Sequence, residues 1–153
     1  DNFLVKYSAD GNMIWARSLT GSKLDDINAM DVAGNQVVIG GVIRSEDLVV
    51  DNAPEVTMKT LDTSGSWNSM LIVSFDTNGN YQWNYIAGSI TQPTDVKTIA
   101  IDKDGSIWNA GTSFGTYYFN PDTEDEARQF PSKAKGGQDM YLMKLSSKDE
   151  VLI

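Results

Sequence analysis

Two loops carry residue types that could hold a cation: Asp76-Thr77-Asn78-Gly79-Asn80 and Asp102-Lys103-Asp104-Gly105-Ser106. Calcium takes about six to eight oxygens, and alternating Asp and Asn side chains can offer three or four. Neither loop has the later bidentate Glu of the full motif. Asn-Gly and Asp-Gly are also the preferred residues of tight hairpin turns, and this simpler reading is favoured, with calcium kept as the rival. The pair Asp25-Asp26 has the composition for acid–base work. Neighbouring strand residues face opposite ways, however, so the two carboxylates need not share a site. The run Asp122-Thr123-Glu124-Asp125-Glu126 reads as a solvated loop tip; its functional reading is a cation or basic-partner contact through Asp122 and Glu124. The chain has no His and no Cys, which excludes Ser-His-Asp catalysis, histidine metal sites, thiolate chemistry and disulfides. It also has no phosphate-cradling P-loop.

Aromatic residues are the other candidates. Trp15, Trp83 and Trp108 could be ligand platforms, but Trp15 and Trp83 recur at one register and are better explained by packing. Trp67 lies outside that register, in a Ser/Gly/Asn-rich loop, where exposure and partner contact are expected. Tyr117 and Tyr118 could stack a sugar or a peptide; an inserted β-strand that buries one or two rings of Tyr117-Tyr118-Phe119 is the equal alternative.

An internal repeat must position these groups. Val5-Lys6-Tyr7-Ser8-Ala9-Asp10-Gly11-Asn12-Met13-Ile14-Trp15 returns as Val73-Ser74-Phe75-Asp76-Thr77-Asn78-Gly79-Asn80-Tyr81-Gln82-Trp83. Gly11 to Gly79 and Trp15 to Trp83 are both 68 residues apart, with no gap between them. A third start, Met143 to Leu152, has Asp149 in place of the turn glycine. A fixed period means an array of one structural unit. Period-two alternation and glycine-bearing turns predict antiparallel strands near 3–8, 13–19, 27–32, 36–42, 70–75, 80–86, 96–101, 106–111 and 140–145. Each unit reads as four short strands joined by tight turns, followed by a variable insert. Unit 1 covers about 1–68 with its insert at 44–68. Unit 2 covers about 69–138 with its insert at 112–138, and unit 3 begins at 139–153. Leu48-Val49-Val50 and Val56 to Leu61 suggest an extra hairpin in the first insert. The fold class is all-β, with β-propeller-type blades of four antiparallel strands. Trp15 and Trp83 are expected to be largely buried, in equivalent places.

The pattern Asp1-x-Phe3-Leu4-Val5-Lys6-Tyr7, Gly11-Asn12-x-Ile14-Trp15, Gly21-Ser22, Asp25-Asp26, Asp31, Gly34-Asn35-x-Val37-Val38-Ile39-Gly40-Gly41 resembles the bacterial SBBP repeat, named for seven-bladed β-propellers. Asp139-Met140-Tyr141-Leu142-Met143-Lys144-Leu145 is similar to the opening of another copy. Ser74 stands where that repeat usually has lysine, and Asp149 where it has glycine. The resemblance implies a structural role for Asp25-Asp26 in the blade connection. Propellers close with about 4–8 blades. Two units and a third start therefore suggest part of a longer propeller, whose neighbouring blades come from the same parent chain or from another chain.

The 153 residues carry a net charge of −9, which repels phosphate backbones and argues against nucleic acid. No apolar run approaches the ~18 residues needed to span a membrane. The chain opens on Asp1, as a mature or excised piece would, so a missing signal peptide is silent on secretion. The leading expectation is a non-catalytic binding or adhesion scaffold of a bacterial cell-surface or secreted protein, or a periplasmic one. A protein or glycan partner would be held by the inserts, as loops on a rigid frame usually do. The contact residues would be Trp67, Tyr117, Tyr118, Asp122 and Glu124. No catalytic residue and no resident metal or cofactor is assigned. One alternative is a segment of a propeller enzyme, a glycoside hydrolase or a quinone-dependent dehydrogenase, since tryptophan-bearing repeats ending near Gly21 are also similar to quinoprotein propellers. Another is a structural surface filament.

Overall fold

The computed structural model describes residues 1–62, 64–118, 129–131, 137–146 and 151–152. The acidic run containing Asp122 and Glu124, and the turn at Asp149, lie outside them. Among the described residues there is no helix, and so none long and apolar enough to cross a membrane. The strands are β1 (Asn2–Tyr7), β2 (Met13–Thr20), β3 (Asp26–Ala33), β4 (Gln36–Ile43), β5 (Leu48–Val50), β6 (Ala53–Met58), β7 (Ser69–Asp76) and β8 (Tyr81–Ala87). They continue with β9 (Thr94–Ile101), β10 (Ile107–Ser113), β11 (Thr116–Tyr118), β12 (Gln129–Pro131), β13 (Asp139–Leu145) and β14 (Val151–Leu152). All described pairings are antiparallel.

Three four-stranded sheets result, ordered β1-β2-β5-β6, β3-β4-β7-β8 and β9-β10-β13-β14. Strand membership departs from the expected unit. The first four strands do not share a sheet: β1 and β2 stand in the first, while β3 and β4 begin the second. Sequence repeat and sheet are thus offset by two strands. The reason is geometric. Tight turns close β1–β2 and β3–β4 as hairpins, but the longer 21–25 connection carries the chain from one sheet to the next.

The repeated hairpin holds its register. Asn2↔Leu19 to Lys6↔Trp15 in the first copy match Met70↔Ala87 to Ser74↔Trp83 in the second, with a bulge at the same place, Lys6/Tyr7 and Ser74/Phe75. The β3–β4 and β9–β10 hairpins also match. Each has a bulge, between Ile27 and Ala29 in one and opposite Ala110/Gly111 in the other. A Cβ on Gly41 would strike the Asp26 carbonyl, and one on Gly111 the Asp95 carbonyl, so glycine is required beside each bulge.

The middle sheet is buried on both faces, which is why β4 and β7 read as continuous apolar runs. Alternation sends Val37, Ile39, Leu71, Val73 and Phe75 toward the first sheet, where they meet Leu19, Leu48, Val50 and Met58. Val38, Met70 and Ile72 point the other way, onto Val96, Ile99, Ile107, Met143 and Leu145 of the third. The first strands of the second and third sheets lie side by side. Asn28 Nδ2 donates to the Val96 carbonyl (3.1 Å), and Ile101 N–H donates to Asp31 Oδ2 (2.6 Å).

The first insert forms the extra hairpin that its apolar runs suggested, and that hairpin is part of a sheet as well as a loop carrier. The hairpin β5–β6 adds to the β2 edge through Leu19↔Val50 and Thr20↔Val49, and buries Leu48, Val50, Ala53 and Met58. β11 does the same one repeat later, bridging Gly88 just past β8 through Tyr118.

Trp15 and Trp83 are each partly covered, neither fully buried nor exposed, and they stand at the same register of the two hairpins. The Trp15 indole lies across the β7–β8 turn of the neighbouring sheet and donates Nε1–H to the Thr77 carbonyl (3.1 Å). A Cβ at Gly79 would come within 2.7 Å of that ring, and Gly79 has φ of 80°, so both reasons demand glycine. Lys6 Nζ also donates to the Thr77 carbonyl (2.7 Å), while Arg17 Nε (2.6 Å) and Asn52 Nδ2 (3.0 Å) donate to the Gly79 carbonyl. Four side chains of the first sheet thereby clamp one turn of the second.

Candidate functional site

The connections 21–25, 44–47, 59–62, 64–68, 88–93 and 114–115 gather at one end of the sheets. Lys23 N–H donates to Ser45 Oγ, Thr60 N–H to the Ser45 carbonyl, and Leu61 N–H to Ser69 Oγ. Thr94 N–H donates to the Asn68 carbonyl (2.9 Å), Asn68 Nδ2 donates back to the Thr94 carbonyl (2.8 Å), and Phe114 N–H reaches the Pro93 carbonyl (3.1 Å). The rim is therefore stitched across both repeats, and both inserts leave from it.

Asp25 is a structural residue of this rim. Its buried carboxylate accepts from Arg44 N–H (2.7 Å), Ser45 N–H (3.0 Å) and Ser45 Oγ–H (2.6 Å). In the second repeat Thr94 stands where Asp25 does, and its hydroxyl lies 3.1 Å from that of Ser113, which stands where the first repeat has Ile43. The N–H of Phe114, equivalent to Arg44, is met there by the Pro93 carbonyl, so the two repeats tie strand entry to strand exit in different ways. Asp26 begins β3 and is half-buried, and no hydrogen bond joins its carboxylate to that of Asp25.

Trp67 is presented by a loop organised around Asp62. The buried Asp62 carboxylate accepts from Ser64 N–H (2.9 Å), Ser64 Oγ–H (2.7 Å) and Trp67 N–H (2.7 Å). Desolvation pushes its pKa up, but the hydrogen bonds from Trp67 and Ser64 outweigh this and hold it below the ordinary value. The loop backbone is thus fixed while the indole remains 41% exposed. Tyr117 follows the second of its two readings, an inserted strand that buries a ring, and not the partner-contact one. It is 4% exposed, donates its hydroxyl to Met70 Sδ and packs at a tilt on Tyr141, with ring centroids 5.5 Å apart. Strand alternation turned it into the core, where it offers no surface to a partner. Tyr118 is half-buried.

The opposite end holds the turns. Asp76 accepts from Asn78 N–H, Asn80 N–H and Asn80 Nδ2–H, each within 2.9 Å. Asp102 accepts from Asp104 N–H (2.9 Å), Ser106 N–H (3.0 Å), Trp108 Nε1–H (3.2 Å) and the Lys144 ammonium (3.1 Å). Desolvation raises the Asp102 pKa, and Lys144, Trp108 and the two backbone donors more than reverse it, leaving it at about 2. Both carboxylates brace their own loops, as Asx turns do. Among the described residues no three His, Cys, Asp or Glu side chains cluster in a way that could hold a metal ion.

Sequence reasoning missed the clamp of Lys6, Trp15, Arg17 and Asn52, whose only signal is that Ser74 and Tyr85 replace the two cations in the second copy. It also missed a groove of about 310 Å³ beside β1, lined by Leu4, Leu19, Ile27, Met30 and Ile39. No protein-family model matches the chain, and no curated protein matches it significantly.

Proposed function

We propose that the chain is an arc of a β-propeller of the SBBP-repeat type, serving as a non-catalytic binding or adhesion scaffold in a secreted or cell-surface bacterial protein. The propeller reading is supported by the matched hairpin registers and by β3 and β9 lying side by side, as the first strands of adjacent blades would around an axis. The observation that carries the binding reading is Trp67, an indole held on a hydrogen-bonded loop yet open to solvent. A rigid, amphipathic ring on a fixed backbone loses little entropy when it meets a sugar face or a protein surface. The rim carboxylates Asp25 and Asp62 are occupied by backbone and hydroxyl donors, which favours a scaffold over an enzyme.

The test compares the parent with W67A on a printed glycan array and on a panel of immobilised extracellular-matrix proteins. The parent should bind at least one probe. W67A should lose about tenfold or more in affinity while melting like the parent, as a hot-spot indole requires. Equal binding by the two proteins would remove Trp67 from the contact surface.

A further inference from the structure

We infer that the groove between β1 and β3 is an acceptor site for a β-hairpin of the chain's own repeat type, which adds to the open edge of β1 in a fixed register. The inference rests on the repeat equivalence and not on the adhesion reading. In the second sheet β7 has β8 on one side and β4 on the other; among the described residues β1, its equivalent, pairs with β2 alone. No described strand stands beside β1 where β4 stands beside β7.

The consequence is visible on the neighbouring strand. Met30 and Ile99 occupy equivalent places in the β3–β4 and β9–β10 hairpins, two pairs beyond the glycine partners Ile27↔Gly41 and Val96↔Gly111. Ile99 is 7% exposed because β3 and β4 of the preceding sheet cover it, with Gly40 so close that a Cβ there would strike the Ile99 side chain. Met30 is 55% exposed, and among the described residues no strand covers it as β3 and β4 cover Ile99. With Leu4, Leu19, Ile27 and Ile39 it forms the apolar groove. An unpaired strand edge above an apolar floor is the setting for strand addition.

The same two hairpins define the occupant. In the second sheet Val37↔Phe75, Gly40↔Ile72 and Gly41↔Leu71 pair β4 with β7. In the third, Ile107↔Leu145, Ala110↔Leu142 and Gly111↔Tyr141 pair β10 with β13. Both registers place the same partner on β1: a β-branched residue opposite Tyr7, a glycine or alanine opposite Leu4, and a glycine opposite Phe3. The small residue opposite Leu4 is the one that lets the hairpin settle over Met30, as Gly40 settles over Ile99.

The experiment titrates the whole chain with a synthetic peptide of residues 94–113, which is the β9–β10 hairpin, and follows amide hydrogen exchange along Asn2–Tyr7. The outward-facing amides of β1 should slow by about tenfold or more as they become paired. M30L should keep this response. M30D, which places a carboxylate in the groove, should lose it while retaining the parent's circular dichroism. A peptide carrying Ala110→Glu should not bind. Absence of protection at millimolar peptide would overturn the inference, as would equal protection of M30D or by the Ala110→Glu peptide. Measured on L142K, whose exposed β13 face is blocked, protection that appears without peptide and grows with protein concentration would also overturn it, by assigning the edge to a second copy of the chain.

Discussion

Asp25 and Asp62 are buried carboxylates whose oxygens each meet several donors, and their energetic weight differs in kind. Removing Asp25 as D25A strands Arg44 N–H, Ser45 N–H and the Ser45 hydroxyl inside the rim. An unmet buried donor costs about 1–3 kcal/mol, so D25A should lower urea-melt stability by at least that much. D25T, which places at position 25 the hydroxyl that the second repeat has at Thr94, can still meet one of these donors and should recover part of the loss. A D25T protein no more stable than D25A would mean that the charge itself is required. Asp62 adds a pH dependence. Its folded pKa lies below the ordinary 3.8, so near that value the unfolded chain binds more protons than the folded one. The stability from Asp62 is therefore fully present above the ordinary value and is lost as pH falls through the depressed one. Trp67 emission should stay constant from neutral pH down to the ordinary carboxylate range, then change below it. D62N should lack this acid limb; a change centred well above the ordinary range would implicate another group.

At the scale of elements, the turn of β7–β8 is held from outside by the first sheet, and this coupling can be measured. W15A removes a half-buried ring and its bond to Thr77, and should cost less than the ~3–5 kcal/mol of a fully buried aromatic. G79A is strained twice, by its positive φ and by the ring above it. In the double mutant the second strain disappears while the first remains. The double-mutant cycle should thus give a coupling of about 0.5 kcal/mol or more, and strict additivity would mean that ring and turn do not press on each other. The hairpins themselves were legible in the sequence because Asp10-Gly11 and Asn78-Gly79 enforce turns and alternation sets the faces. Sheet membership was not, because a two-strand offset leaves every local pattern unchanged. The inserts misled for a related reason: Leu48, Val50 and Met58 match nothing in the second copy, yet they complete a sheet edge. Tyr117 was ambiguous at sequence level, since one of two adjacent strand tyrosines must face inward and the pattern alone does not say which.

On the scale of the whole molecule, the three stacked sheets end in two open apolar faces of opposite kind. Phe3 and Tyr7 on β1 occupy the places of Leu71 and Phe75, which in the second sheet lie beneath the first. Phe3 is 81% exposed. Leu142 on β13 occupies the place of Ile72, which lies beneath the third sheet, and it too is exposed. One end is therefore shaped to follow a sheet and the other to precede one, which is the geometry of head-to-tail contact and not of a two-fold dimer. The purified chain should associate in a concentration-dependent way, read by sedimentation velocity. F3K and L142K, each blocking one end, should reduce assemblies to monomers or short caps. An equimolar mixture of the two should give dimers and nothing longer, because each variant keeps the face the other has lost. A two-fold contact between like faces predicts otherwise: only one of F3K and L142K would lose association, the other would still dimerise alone, and mixing would form no pair between the two variants. Sedimentation of the mixture therefore separates the two geometries, and a purified chain that stays monomeric at every accessible concentration would sink both.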